Sequence, residues 1–170
     1  MDVPMAIMGL SNQNKSLIFD EIRKIWVPAL PEELVRQTLL QKMVCKLGFP
    51  KELLVIEKNL NQLPHLTYNT LPQRRIDILC YAKEIHPLHL LYPLLLIECK
   101  EEEKVDQAAI EQVIGYNEHV KAFFVAVATK REEVIGYYDA LKNSYQFVSF
   151  LSPYSHLLDL AKNRKDASAG

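Results

Sequence analysis

The chain has 170 residues, 49% hydrophobic and 24% charged, a balance that fits one globular domain with its own core and excludes a disordered or fibrous protein. Its formal net charge of -1 excludes bulk basicity as the means of holding nucleic acid, so such a role has to rest on local charge and a metal ion. Three scattered cysteines, Cys45, Cys80 and Cys99, fit neither a disulfide framework nor a zinc site, and reduced thiols in the cytoplasm are the expectation.

In chain order, residues 1–16 read as an N-terminal segment without the basic start of a signal peptide. No run reaches the roughly 18 apolar residues of a membrane span. Leu17, Ile18, Ile22 and Ile25 recur at helical spacing and predict a short amphipathic helix or turn over 16–26. Pro28 and Pro31 end it. Pro31 then opens a helix over 31–47, favoured by Glu32 and Glu33 at its positive end and stopped by Gly48 and Pro50. Residues 53–57 form a short strand-like run, and 59–71 a loop or irregular hairpin. Residues 75–81 alternate as a strand, with Ile76, Ile78 and Cys80 on one face and Asp77, Leu79 and Tyr81 on the other. A connection over 82–91 leads to 93–99, a continuous apolar run that predicts a central strand buried on both sides. Helical spacing returns over 106–121, another buried strand follows at 123–128, and strand, helix, strand implies a right-handed parallel crossover. A hairpin is expected over 134–138 and 145–150. A short helix over 155–162 closes the domain (17–160), and 161–170 reads as a flexible tail. The sum is a mixed α/β sheet flanked by helices.

The chemistry concentrates in one pattern. Asp77 stands in the run Arg74-Arg75-Ile76-Asp77-Ile78, and Glu98 and Lys100 close the run Leu94-Leu95-Leu96-Ile97-Glu98-Cys99-Lys100. Residues at i and i+2 of a strand share a face, so Glu98 and Lys100 point together. If Asp77 faces the same side from a neighbouring antiparallel strand, two carboxylates meet that are costly to bury without a cation. Mg²⁺, or Mn²⁺, answers that repulsion with carboxylate and water ligands. The backbone carbonyl of Cys99 adds a further ligand, and Lys100 stabilises charge developing on a phosphate. The spacing D-x(n)-E-x-K is the signature of the PD-(D/E)xK nucleases. The bland reading is a strand end running into the solvated acids Glu101, Glu102 and Glu103. Gln112 and Tyr116, four apart on the crossover helix, share a face and match the accessory Gln-x-x-x-Tyr of RecB-like nucleases. Otherwise they are a helix face with one buried polar residue that needs a partner.

Taken with Pro31-Glu32-Glu33-Leu34-Val35-Arg36-Gln37 and Gln112-Val113-Ile114-Gly115-Tyr116-Asn117, these segments make residues 19–153 resemble the nuclease domain at the N-terminus of type I restriction enzyme R (motor) subunits. The resemblance implies a restriction-endonuclease-like α+β fold and Mg²⁺-dependent endonucleolytic cleavage of DNA. It implies Asp77 and Glu98 as metal ligands, Lys100 as the catalytic lysine, and Gln112 and Tyr116 as the accessory pair. Glu33 completes the metal site by the same likeness, ahead of its neighbour Glu32. The 170 residues hold no Gly-rich phosphate loop, so they are expected not to translocate DNA alone and to be a free-standing domain, a fragment, or a nuclease recruited by a separate motor or specificity protein. A catalytically silent DNA- or protein-binding module is the alternative, and a nuclease acting on RNA or on structured DNA ends is a third reading.

Arg74 and Arg75 read equally as phosphate contacts or as a solvated strand start. Lys121, Lys130 and Arg131 read as surface charge. His65, His86, His89, His119 and His156 show no metal-ligand spacing. Trp26 and Tyr68 read as packing residues, and Tyr137, Tyr138 and Tyr145 as cross-strand pairs.

Overall fold

The computed structural model describes residues 16–66 and 70–167, with side chains described through residue 164. Tyr68 and the segment 1–15 lie outside the described residues. The first element departs from expectation. Residues 16–26 contribute not a helix but part of an antiparallel hairpin of β1 (Leu17–Asp20) and β2 (Ile25–Pro28). The turn between them decides the matter. The Asp20 carboxylate accepts from the backbone N–H groups of Ile22 and Arg23 at 2.8 and 2.7 Å, and Lys24 closes the turn at φ 58°. A local side-chain bond of this kind competes with the helical ladder. Period two then buries Ile18 and Asp20, a pattern that the apolar spacing alone also allowed.

Helix α1 (Pro31–Cys45) forms as predicted, with Pro31 in its first turn and Gly48 at φ 71° after its end. Only a residue without a Cβ adopts that left-handed turn at no steric cost. The remaining elements are β3 (Leu54–Asn59), β4 (Arg75–Lys83), β5 (Leu91–Cys99), α2 (Gln107–Val120), β6 (Phe124–Ala128), β7 (Glu133–Asp139), β8 (Ser144–Ser149) and α3 (Tyr154–Ala167). β3 to β8 make one sheet in sequence order. All neighbours are antiparallel except β5 and β6, whose parallel pairing α2 bridges as the crossover. Asp106 caps α2 by accepting from the Ala109 N–H at 2.8 Å, and Lys121 ends it in the left-handed region. α3 is longer than expected. It runs through Ala167 into the segment read as a flexible tail, with Leu157 and Ala161 buried along it.

β4 is buried from Ile76 to Ala82, β5 from Pro93 to Cys99, and β6 throughout. Apolar runs of this kind are what a sheet covered on both faces requires. The alternation expected along β4 holds as far as a bulge between Cys80 and Tyr81. At the far hairpin, Tyr138 and Tyr145 pair across the strands with their rings edge to face at 5.7 Å. Among the described residues no helix is long and apolar enough to cross a membrane.

Beyond β3, His65 ties the loop to the rest of the domain. Its Nε2 lies 2.9 Å from the Val120 carbonyl and its Nδ1 2.8 Å from the Tyr81 hydroxyl. A carbonyl only accepts, so Nε2 carries the proton and Nδ1 accepts from Tyr81. Burial raises the Tyr81 phenol and keeps it a donor. Burial likewise holds the His65 imidazole below its ordinary 6.5, against the pull of the Val120 carbonyl. A depressed histidine contributes stability that is present above the unfolded pKa and is lost as pH falls through the folded one. His65→Gln should therefore cost most at neutral pH, and the difference in unfolding free energy from wild type should shrink as pH falls below about 6.5. Urea denaturation at several pH values measures it, and a pH-independent difference would rule the clip out.

Candidate active site

The site is assembled by strand register. β4 and β5 pair at Ile78 and Ile97, so the next step sets Asp77 opposite Glu98. Residues directly opposite in an antiparallel pair share a face. Asp77, Glu98 and the following Lys100 therefore meet on one side of the sheet, and both acids are buried. Lys100 Nζ donates to Glu98 Oε1 at 2.9 Å and to Gln112 Oε1 at 2.9 Å. Gln112 Nε2 donates to the same Glu98 oxygen at 2.5 Å and to the Tyr116 hydroxyl at 3.2 Å. The buried-polar problem posed by Gln112 in the sequence is thus solved by the site itself. The Cys99 N–H donates to Asp77 Oδ2 at 2.7 Å. A strand residue's N–H and C=O open toward the same neighbouring strand, so the Cys99 carbonyl faces β4 as well. The Cys99 thiol is fully buried, and burial pushes its pKa well up.

Burial, followed by the charge of Asp77, pushes the Glu98 carboxyl up to about 7, outweighing its contact with Lys100. Burial acts against the Lys100 ammonium, but Glu98 outweighs it and raises Lys100. The two strand carboxylates thus repel each other in a setting of low dielectric, and Lys100 relieves only one of them.

The structure adds a residue that sequence reasoning did not single out as functional. Arg36 of α1 is only 2% exposed, yet it donates to Asp77 Oδ1 at 2.9 Å, Glu33 Oε2 at 2.5 Å and Glu32 Oε1 at 3.1 Å. It also lies 3.1 Å from Glu57 Oε1. β3 pairs with β4 at Ile56–Ile78 and Lys58–Ile76, which sets Glu57 against Asp77, with Glu57 itself at φ 49°. A second arginine, Arg23, joins Asp20, Glu33 and Glu57. Asp20 is fully buried. Burial raises it, but the Arg23 backbone N–H and guanidinium, with Gln37, outweigh that and hold it below the usual carboxylate range.

Glu33 reaches Asp77 only through Arg36. Its Oε1 accepts from Gln37 at 2.8 Å and from Arg23 at 3.2 Å, and its Oε2 is held by Arg36. At Glu32, burial and then Asp77 raise the carboxyl pKa, while Arg36 and Lys100 lower it. Arg74 and Arg75 part company. Arg75 pairs with Glu57 at 3.1 Å, whereas the Arg74 guanidinium lies 5.5 Å from the centre of the Tyr116 ring. Among the described residues no group of three or more His, Cys, Asp or Glu converges as a metal cluster. The donor set at the Asp77–Glu98 pair nevertheless suits a hard cation of the Mg²⁺ type, which takes one or two carboxylates and keeps its waters. The signal for Arg36 was present in outline: it follows Glu32 and Glu33 by four and three residues, the spacing of helical ion pairs. Its burial was not legible, because an Arg at that spacing is usually solvated.

The chain matches the family described as "Type I restriction enzyme R protein N terminus" over residues 31–151. The structure is similar to a chain described as a fragment of an HsdR subunit of a type I restriction enzyme from Vibrio vulnificus, at 16% identity and a TM-score of 0.48. That similarity covers 78% of this chain and 26% of the other, so the chain spans about a quarter of that protein's length. No curated protein matches.

The partly buried and the exposed ion pairs should separate cleanly. Arg23→Met, which strips the contacts to Asp20, Glu33 and Glu57, should lower stability by about 2–3 kcal/mol. Lys24→Met, which breaks only the exposed pair with Glu21, should stay within about 0.5 kcal/mol. Equal losses in urea denaturation would show that the network adds nothing to the fold.

Proposed function

The chain belongs to the family of type I restriction enzyme R protein N termini, and from that premise we propose that it is a divalent-metal-dependent deoxyribonuclease domain that hydrolyses DNA phosphodiesters. The observation that supports this best is the register that sets Asp77 against Glu98, with Lys100 bonded to Glu98 on the same face. Asp77 and Glu98 would hold Mg²⁺ or Mn²⁺ together with the Cys99 carbonyl. The ion, when bound, supplies charge neutralisation at the phosphate and a bound water of lowered pKa.

This chain's own residues do the rest. Lys100 brings an ammonium to the face where negative charge develops on the phosphate oxygens. Gln112 grips both Glu98 and Lys100, which fixes their separation before substrate arrives. Tyr116 anchors Gln112 by its hydroxyl and offers its ring to Arg74. Arg74, the less engaged of the arginine pair, is the residue set to take a flanking phosphate. Specific base readout is not expected from these residues, since none projects a recognition helix. A motor or specificity component outside these residues would choose the cleavage site.

Purified protein should nick supercoiled plasmid with Mg²⁺ or Mn²⁺ and not with EDTA. Lys100→Ala should slow nicking by about 100-fold or more, and Glu98→Ala should do the same. Arg74→Ala should weaken DNA binding and its salt dependence more than it changes turnover. Nicking that persists at the wild-type rate in both Glu98→Ala and Lys100→Ala would remove these residues from the chemistry. Metal-independent DNA binding without cleavage would favour a silent binding module instead.

A further inference from the structure

We propose that Arg36 is the site's built-in cation and that its guanidinium limits the centre to one divalent ion, held between Asp77 and Glu98. The inference rests on the divalent-metal reading above and concerns how many ions the centre takes.

Three acids stand in one row across three strands: Glu57 on β3, Asp77 on β4 and Glu98 on β5. Like charges directly opposite in a sheet are destabilising, so each interval in the row calls for a positive group. In the first interval that group is Arg36. Its Nη1 lies 3.1 Å from Glu57 Oε1 and its Nη2 2.9 Å from Asp77 Oδ1. The same planar fork also holds Glu32 and Glu33. A guanidinium suits this place because its donors diverge in a rigid plane and it stays charged when buried. In the second interval no described basic side chain touches both acids. Lys100 donates to Glu98 and Gln112 and not to Asp77.

A second ion would have to enter among Glu32, Glu33, Glu57 and Asp77, where the Arg36 guanidinium already lies. Arg36 therefore positions Asp77 by Oδ1, while its Oδ2 accepts from the Cys99 N–H.

Titrating the whole chain with Mn²⁺ and following the paramagnetic resonance of the free ion counts bound equivalents without any reference to cleavage. Wild type should bind one equivalent. Arg36→Met, similar in size and uncharged, should bind two, because Glu32 and Asp77 then lose their guanidinium while Glu33 keeps only Arg23, and Glu57 only Arg23 and Arg75. Arg36→Lys should return the count to one. Should Arg36→Met fold poorly, refolding it with excess Mn²⁺ should recover it with two equivalents bound. Failure to fold even then, or one equivalent in folded Arg36→Met, overturns the assignment. Two equivalents in wild type overturn it as well, and leave the metal reading standing. No bound Mn²⁺ in wild type sinks the metal reading and takes this inference with it.

Discussion

The constraint on which the site depends is the antiparallel pairing of β4 with β5, which seats Asp77 beside Glu98 under cover of the fold. Side-chain period in a strand is two, so a slip of one residue would put the two acids on opposite faces. The continuous apolar runs of these strands do not fix that register by themselves, because both faces are buried. Polar contacts add the specification. The Cys99 N–H reaches back to Asp77, and Gln112 on the crossover helix accepts from Lys100 while donating to Glu98. The parallel β5–β6 pairing then places α2 where Gln112 can do so.

The energetic tension in this arrangement is resolved in two ways on its two sides. Toward β3, α1 inserts a guanidinium, and the acids there are satisfied within the chain. Toward β5, the fold leaves Glu98 with a carboxyl raised by burial and by Asp77, relieved only in part by Lys100. A fold under selection for stability alone would replace such a pair with apolar residues, since buried ion networks seldom outperform good packing. Retaining two adjacent carboxylates and a lysine in the interior is the pattern expected where polar groups are arranged to shift one another's ionisation.

Much of this was legible in the sequence, and the failures have physical causes. The crossover helix announced itself by its period over 106–121. The buried strands read correctly because their apolar runs exceed what a helix face needs. The first hairpin was misread because Leu17, Ile18, Ile22 and Ile25 satisfy helical spacing, while the decisive bond is local, from Asp20 to the amides of Ile22 and Arg23. The closing helix was cut short because the polar composition after Lys162 hid a helix that continues to Ala167. Strand and helix periodicities put Glu98 with Lys100 and Gln112 with Tyr116 on shared faces, whereas Asp77 joined them only through the resemblance to the nuclease family. Glu57 and Arg36 could not be named, because what draws them in is the β3–β4 register and the depth of α1, and neither leaves a periodic trace.

The match to the family begins at residue 31, after the β1–β2 hairpin, yet the hairpin is wired into the site. Asp20 accepts from Gln37 of α1 and from Arg23, and Arg23 reaches Glu33 and Glu57. Each of these partners is one contact away from Arg36 or is bonded to it directly. Arg23 is partly exposed and Arg36 is not, so solvent screens the outer end of the chain of charges far more than the inner end. The hairpin therefore acts less as packing than as a cover on an ionic network: through Arg23 it holds Glu33 and Glu57, which hold Arg36, which holds Asp77 by Oδ1. Order at the Asp77–Glu98 pair is in this way inherited from an element that supplies neither acid.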